Sequence, residues 1–157
     1  MLSIKIIAVG IMKSTELRAL CDEYVKRLQP FARIEVVEVA HEAFRDIGEK
    51  EKASAREAER ILRVACNVNR QHLILLEEKG REFDSPEFAK YLSKLGEQGQ
   101  TICFVLGGAL GLHSSLTAGK QSISLSRLTY PHEMARMILL EQIYRASCIM
   151  SGKQYHY

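Results

Sequence analysis

The residues whose types and spacing best suit chemistry follow an apolar run near residue 100. Residues 101–106 are apolar or β-branched apart from one cysteine, and the run ends at Gly107 and Gly108. A run of this kind bounded by glycine predicts a buried strand, and paired glycines leave backbone N–H and C=O groups open at its carboxyl end. Ligands of open α/β sheets bind at that edge. The pattern predicts a ligand held by backbone groups, although a plain β-to-α turn explains the same residues.

These glycines do not form a common phosphate-binding motif. Residues 107–108 and Gly111 do not fit G-x-G-x-x-G, and Gly119-Lys120 is followed by Gln121 where a P-loop has Ser or Thr. A dinucleotide fold of the common type and a P-loop nucleotidase are therefore both disfavoured.

The glycine bend needs a sheet to position it, and hydrophobic periodicity predicts one. Strand patterns cover residues 3–10, 33–39, 72–77, 101–106 and 121–126. Helical patterns alternate with them and cover residues 14–28, 49–68, 85–95, 113–118 and 131–150. This alternation predicts an α/β fold with a mainly parallel sheet and helices on both faces. A length of 157 residues favours one domain over residues 1–157.

Composition narrows the class of protein further. The chain is 46% hydrophobic and 26% charged, which is ordinary for a soluble globular protein. It has no apolar run of about 18 residues and no signal-like N-terminus, so we expect a cytoplasmic protein with no membrane partner. The four cysteines include no C-x-x-C pair, which favours core packing and no metal site: Cys21, Cys66, Cys103 and Cys148.

Charge is concentrated at one end of the chain. Residues 112–157 hold five Lys or Arg and two Glu, so they carry the whole net charge of +3. A basic end beside the predicted ligand loops permits an anionic partner such as RNA. The same charge is also explained by solubility alone.

The last helix is apolar around most of its circumference rather than along one stripe. A helix of that kind must be buried on more than one side. In a chain this small, a second subunit is a plausible cover, so the pattern predicts a homodimer through the C-terminal helix.

Several segments, read together, closely resemble the RlmH family of ribosomal RNA methyltransferases, a minimal member of the SPOUT class. The likeness extends over essentially the whole chain. It is carried by residues 105–112, 124–132, 135–136 and 141–146 and by Tyr155-His156.

This resemblance implies a fold, a cofactor and a substrate. The fold is α/β with a C-terminal trefoil knot, in a homodimer. The cofactor is S-adenosylmethionine, and the reaction is methylation of N3 of a pseudouridine in 23S rRNA within the assembled ribosome. The alternative is a non-catalytic ribosome- or RNA-binding module that retains the fold.

The resemblance also assigns site residues, with no metal among their ligands. One departure is Ala109-Leu110, where many relatives have Pro-Glu and therefore a carboxylate. The expected catalytic residues are His132, Tyr155 and His156. The expected cofactor-binding residues are Leu76, Gly107, Gly108, Leu125, Ser126, Arg127, Leu128, Thr129 and Tyr130.

The chemistry requires a group that accepts the N3 proton, and histidine suits that role near neutral pH. His132 is otherwise explained as a first-turn residue that bonds backbone, and His156 as part of a frayed terminus. Tyr155 can stack on a base. Three arginines can contact phosphate: Arg127, Arg136 and Arg145. For Arg145, an i,i+4 ion pair with Glu141 is the favoured interpretation.

Overall fold

The computed structural model describes residues 1–65 and 72–155. Within those residues, strands and helices alternate along the chain. They are β1 (Leu2–Val9), α1 (Thr15–Leu28), β2 (Ala32–Val39), α2 (Ile47–Val64), β3 (Leu73–Arg81), α3 (Ser85–Gly96), β4 (Ile102–Leu106), α4 (Ser114–Thr117), β5 (Gln121–Ile123) and α5 (His132–Met150).

The described strands form one parallel sheet in the order β2-β1-β4-β3-β5. The central strand β4 is buried at every residue, which matches its apolar sequence. One core packs α1, α3 and α5 against one face of the sheet, and a second core packs α2 and α4 against the other. The predicted α/β fold with helices on both faces is therefore confirmed, and the trefoil knot stays a prediction.

Helix α5 lies against both α1 and α3 on one face of the sheet. Its buried residues include Leu139, Leu140, Ile143 and Ala146. Contacts within the chain therefore cover much of the circumference that sequence reasoning assigned to a second subunit. The homodimer stays a prediction that needs a separate argument.

Several element boundaries differ from the predicted ones for local reasons. Helix α2 begins at Ile47 rather than 49, because the Asp46 side chain caps it by accepting from the Glu49 N–H. Its predicted end at residue 68 lies outside the described residues. Helix α3 is capped by Asp84 in a capping box with Glu87, one residue before the predicted Ser85.

Strand β3 extends beyond its predicted end and β5 stops short of it. Ile123 pairs with both Leu76 and Arg81, so the intervening residues 77–80 bulge out of the ladder. The Ser124 N–H then donates to the Arg81 carbonyl at 2.9 Å, and the chain leaves the sheet. Residues 124–126, predicted as strand, instead begin the loop that leads to α5.

The bulge depends on glycine at position 80. A Cβ at Gly80 would lie 2.5 Å from the carbonyl carbon of Ile123, closer than real Cβ atoms approach backbone. The absence of a side chain therefore lets β5 dock against the bulge.

We expect Gly80→Ala to lower the free energy of unfolding by about 2 to 3 kcal/mol, because the added methyl overpacks against backbone that cannot rotate away. Chemical denaturation measures the change. The matched control is Gly48→Ala in the first turn of α2. Its nearest atom is a side-chain oxygen of Asp46 at 3.2 Å, and alanine is the better helix former there. Equal stability of the two variants would contradict the close approach of β5.

Candidate active site

A cavity of about 650 Å³ opens at the carboxyl edge of the sheet. Its walls come from residues 76–79 of β3, the glycine bend after β4, the loop after β5 and the start of α5. The volume lies within the range of small-molecule and cofactor sites, and the edge is the one that binds ligands in open α/β sheets. The glycine bend and the segment before α5, which are separate in sequence, therefore meet at one site.

Most of the residues assigned to the cofactor line this cavity, and one does not. Arg127 is exposed and borders a neighbouring shallow pocket with Lys79 and Gly80. Of the nine residues assigned to the cofactor, the eight that line the cavity are Leu76, Gly107, Gly108, Leu125, Ser126, Leu128, Thr129 and Tyr130.

The glycine bend is a tight turn that keeps side chains off the cavity floor. Gly108 and Gly111 form an isolated antiparallel bridge, with the Gly111 N–H donating to the Gly108 carbonyl at 3.0 Å. A Cβ at Gly108 would lie 3.0 Å from Cγ1 of Val9, and one at Gly107 would lie 3.0 Å from the backbone of Gly111. Both positions therefore have little room for a side chain on the protein side of the bend.

The loop between β5 and α5 is stabilised by hydrogen bonds and tied to the β3 bulge. The Ser124 hydroxyl donates to the Ser126 carbonyl at 2.8 Å, and the Ser126 hydroxyl accepts from the Leu128 N–H at 3.0 Å. The Thr129 hydroxyl donates to Oε1 of Glu78 at 2.5 Å. This last bond joins two walls of the cavity.

Sequence reasoning missed two carboxylates in the cavity wall. Glu77 and Glu78 line it together with Lys79. The available signal was their position directly after the apolar run of residues 73–76, because that places them at the carboxyl edge of the sheet. Since Ala109-Leu110 carries no carboxylate, these two residues supply negative charge to the cavity wall.

His132 is the first residue of α5, and it lines the cavity. Its Nε2 would be 3.6 Å from a Cβ placed on Gly10, so the ring packs beside the backbone at the end of β1. Within the described part of the chain, the ring makes no hydrogen bond. Its nitrogens are therefore not committed to capping the helix.

The start of α5 is anchored by a buried arginine. Arg136 is 3% exposed, and it donates to Oε1 of Glu38 at 2.5 Å and to the Gly10 carbonyl at 3.1 Å. The same Glu38 oxygen accepts from the Met12 N–H at 3.0 Å. Burial of Glu38 raises its carboxyl pKa, but the hydrogen bonds from Arg136 and Met12 outweigh burial and hold the pKa below its ordinary value. Arg136 is thus a structural anchor, not the predicted phosphate contact.

A second carboxylate fastens the same helix end to the β1–α1 loop. Glu133 accepts from the Ser14 N–H at 3.0 Å and from the Lys13 N–H at 3.1 Å. These two backbone donors, that of Ser14 first, hold the pKa of the Glu133 carboxyl below its ordinary value. Two residues that follow His132 in α5, Glu133 and Arg136, are therefore positioned by contacts to the chain after β1.

Tyr155, the last described residue, is not among the residues that line the cavity. The Tyr155 ring packs against Tyr144 with centroids 4.9 Å apart and under the Arg145 guanidinium at 5.0 Å. Desolvation, followed by contact with the Tyr24 hydroxyl, raises the pKa of Tyr155 to about 12. Arg145 pairs with Glu141 at 2.5 Å, as predicted. His156 lies outside the described residues.

Other predicted features of the chain have mixed outcomes. Cys21, Cys103 and Cys148 are buried and unbonded, in agreement with core packing, and Cys66 lies outside the described residues. Across residues 1–65 and 72–155, no cluster of His, Cys, Asp and Glu is suited to hold a metal ion. In the same residues, no helix is long and apolar enough to cross a membrane.

Together the fold and the cavity define an α/β protein with a cavity of cofactor size at the carboxyl ends of its strands. The family model described as "Predicted SPOUT methyltransferase" matches residues 2–156. The chain therefore belongs to the SPOUT methyltransferase family, as its sequence motifs indicated.

Curated relatives match along nearly the whole chain. Each is named ribosomal RNA large subunit methyltransferase H. That of Carboxydothermus hydrogenoformans is 41% identical over 160 residues, that of Streptococcus uberis 40% over 163 residues, and that of Desulfitobacterium hafniense 39% over 161 residues. Every alignment covers 99% of both chains.

A solved structure has a similar fold. It is that of a probable methylase family protein from Haemophilus influenzae Rd KW20, with a TM-score of 0.60 and 12% sequence identity. The match covers 98% of this chain and 70% of the other.

We expect the anchor of α5 to make stability depend on pH at the acid end. The folded-state pKa of Glu38 is lowered, so its contribution is present above the unfolded pKa of about 4.3 and is lost as pH falls through the folded value. The free energy of unfolding should therefore fall less steeply below about pH 5 in Glu38→Gln than in the unmodified protein. The variant should also lose about 2 kcal/mol at pH 7.

Denaturant titrations at several pH values provide the measurement. Glu97→Gln, at an exposed site at the end of α3, is the matched control and should follow the unmodified protein. Parallel curves for Glu38→Gln and the unmodified protein would show that the carboxylate does not carry the acid dependence.

Proposed function

We propose that this protein transfers a methyl group from S-adenosylmethionine to N3 of a pseudouridine in large-subunit ribosomal RNA. The observation that carries the proposal is one cavity lined by three loops at the sheet edge, in a chain of the SPOUT methyltransferase family. The names of the full-length relatives support ribosomal RNA as the substrate.

The residues of the cavity suit this cofactor. Glycines leave backbone groups accessible, and leucine side chains provide apolar walls for a flat base: Leu76, Leu106, Leu125 and Leu128. When bound, S-adenosylmethionine supplies a methyl group on a positively charged sulfur. Glu77 and Glu78 offer negative charge to the cationic groups of such a ligand.

The chain's own contribution to the reaction is positioning and proton removal. His132 lines the cavity with a ring not bonded to any described residue, so it is our candidate to accept the proton from N3. Arg136 and Glu133 hold the helix turn that carries it. Holding the nucleophile and the methyl donor at close range in line supplies much of the remaining acceleration.

Tyr155 does not line the cavity of its own chain, so a role in this chemistry would place it in another subunit's cavity. Tyr155 contacts Tyr144, which lies 12 residues along α5 from His132, or about 18 Å at 1.5 Å per residue. A homodimer in which one tail reaches the partner's cavity is consistent with that distance.

Exposed apolar side chains around the start of α5 support dimerisation there. Leu128 is 70% exposed, Ile11 59% and Met134 38%. Leu128 precedes α5, and Met134 lies in its first turn. Ile11 follows β1, in the loop that Glu133 binds. Apolar residues grouped in this way are typical of a protein interface.

We expect the purified protein to transfer radiolabelled methyl groups from S-adenosylmethionine to rRNA of assembled ribosomes. His132→Ala should lower kcat roughly a hundredfold or more while leaving cofactor affinity by calorimetry nearly unchanged. The matched control, His41→Ala at an exposed histidine, should keep full activity. Cofactor binding without transfer to ribosomes or free rRNA would favour the non-catalytic module, and an unchanged rate in His132→Ala would remove that residue from catalysis.

We expect a dimer in sedimentation velocity at micromolar concentration. Met134→Glu should shift the distribution toward monomer, because it places a charge in the apolar group at the start of α5. Phe44→Glu, at an apolar residue 45% exposed and outside that group, is the control and should sediment unchanged. A stable unmodified monomer would contradict the proposed interface.

A further inference from the structure

A second concavity lies between α3 and the edge strand β5, outside the candidate active site. It has a volume of about 780 Å³. We call it the α3 groove and define it by Arg81, Phe83, Lys90, Tyr91, Lys94 and Gln121. None of these residues was assigned a role from the sequence.

The α3 groove carries an excess of positive charge. Arg81, Lys90 and Lys94 are exposed along it. The carboxylate that also borders it, Glu87, is engaged in the capping box of α3 and accepts from the Asp84 N–H at 3.1 Å. The exposed cations are therefore available to an anionic partner.

An aromatic pair lies among these cations. The Phe83 and Tyr91 rings have centroids 5.0 Å apart at an interplanar angle of 32°, and both are half-buried. The Arg81 guanidinium lies 4.3 Å from the centre of the Phe83 ring. The Tyr91 hydroxyl donates to Oε1 of Gln121 at 2.7 Å. Stacking surfaces with cations and amide groups beside them are what unpaired nucleotides bind.

The groove is continuous along the chain with the active-site cavity. Strand β3 lines the cavity at residues 77–79, passes through Gly80 and reaches the groove at Arg81. The shallow pocket between them is bordered by two cations, Lys79 and Arg127, and by two carboxylates, Glu78 and Glu82. The excess of positive charge therefore lies in the α3 groove, and Lys79 and Arg127 place further cations on the residues that connect the two sites.

We propose that the α3 groove binds the RNA substrate beside its target nucleotide, with the cations on phosphates and the aromatic pair against an unpaired base. This inference rests on the proposed function, because the nucleotide in the cavity belongs to the same RNA. RNA fits better than an acidic protein, since an acidic surface would use the cations but not the adjoining aromatic faces. Arg127, which does not line the cofactor cavity, acquires a role as a phosphate contact between the two sites.

The test is charge reversal on α3. Lys90→Glu/Lys94→Glu should weaken binding to large ribosomal subunits at least about tenfold and lower the slope of log affinity against log salt by about one for each lysine. KM for the RNA should rise with kcat little changed, and affinity for S-adenosylmethionine should stay the same. The matched control is Lys50→Glu/Lys52→Glu on α2, which covers the opposite face of the sheet.

Separate readouts distinguish the possible failures. A Lys90→Gln/Lys94→Gln variant with an intermediate loss, and unfolding curves matching the unmodified protein, would exclude a folding effect and support the proposal. Unchanged RNA affinity and KM in both α3 variants would overturn the proposal. Polyglutamate serves as the probe for an acidic protein partner, and variants that lose polyglutamate binding but keep RNA binding would also overturn it. Absence of methyl transfer by the unmodified protein would refute the proposed function instead, since RNA affinity and its salt slope are measured without turnover.

Discussion

The ion pair between Arg136 and Glu38 is the contact on which the candidate site most depends. A guanidinium that is 3% exposed is costly unless its charge is paired and its donors are satisfied. Here the charge is paired: Nη1 donates to Glu38 of β2 and Nη2 to the carbonyl of Gly10 after β1, while the buried Nε has no hydrogen-bond partner among the described residues. These contacts hold the first turns of α5 in one position against the sheet. That position brings His132 beside Gly10 and closes one wall of the cavity.

Close backbone approach sets the opposite walls. Gly80 lets β5 dock on the β3 bulge, and Gly108 lets the bend after β4 lie against Val9. The Thr129–Glu78 hydrogen bond then joins the loop after β5 to the bulge. An ion pair thus fixes one side of the cavity, and glycines that permit close backbone approach shape the other.

Much of this architecture was predictable from local pattern. Apolar runs and caps located the strands and helices. Eight of the nine residues that the resemblance assigns to the cofactor line one cavity, and their role stays a prediction. What failed was non-local. The end of β3 depends on Ile123 pairing twice, at Leu76 and Arg81, and no periodicity within residues 77–81 encodes that partner. The same bulge carries Glu77 and Glu78 into the cavity wall, whereas the sequence predicted that the strand ends at Glu77 and gave neither residue a role.

The roles of the arginines follow from burial, which sequence alone does not give. Arg127, Arg136 and Arg145 are chemically alike and lie within one basic segment. Arg136 pairs with Glu38 and Arg145 with Glu141, so carboxylates within the chain largely neutralise both charges. Arg127 alone of the three stays exposed, next to Lys79 and outside the cavity. The exposed cations near the cavity therefore come from the β3 bulge, the loop after β5 and α3 as well as from the C-terminal segment: Lys79, Arg81, Lys90, Lys94 and Arg127. Under the proposed function, Glu77 and Glu78 in the cavity wall would favour a cationic cofactor, while the cations of the α3 groove would favour an anionic substrate.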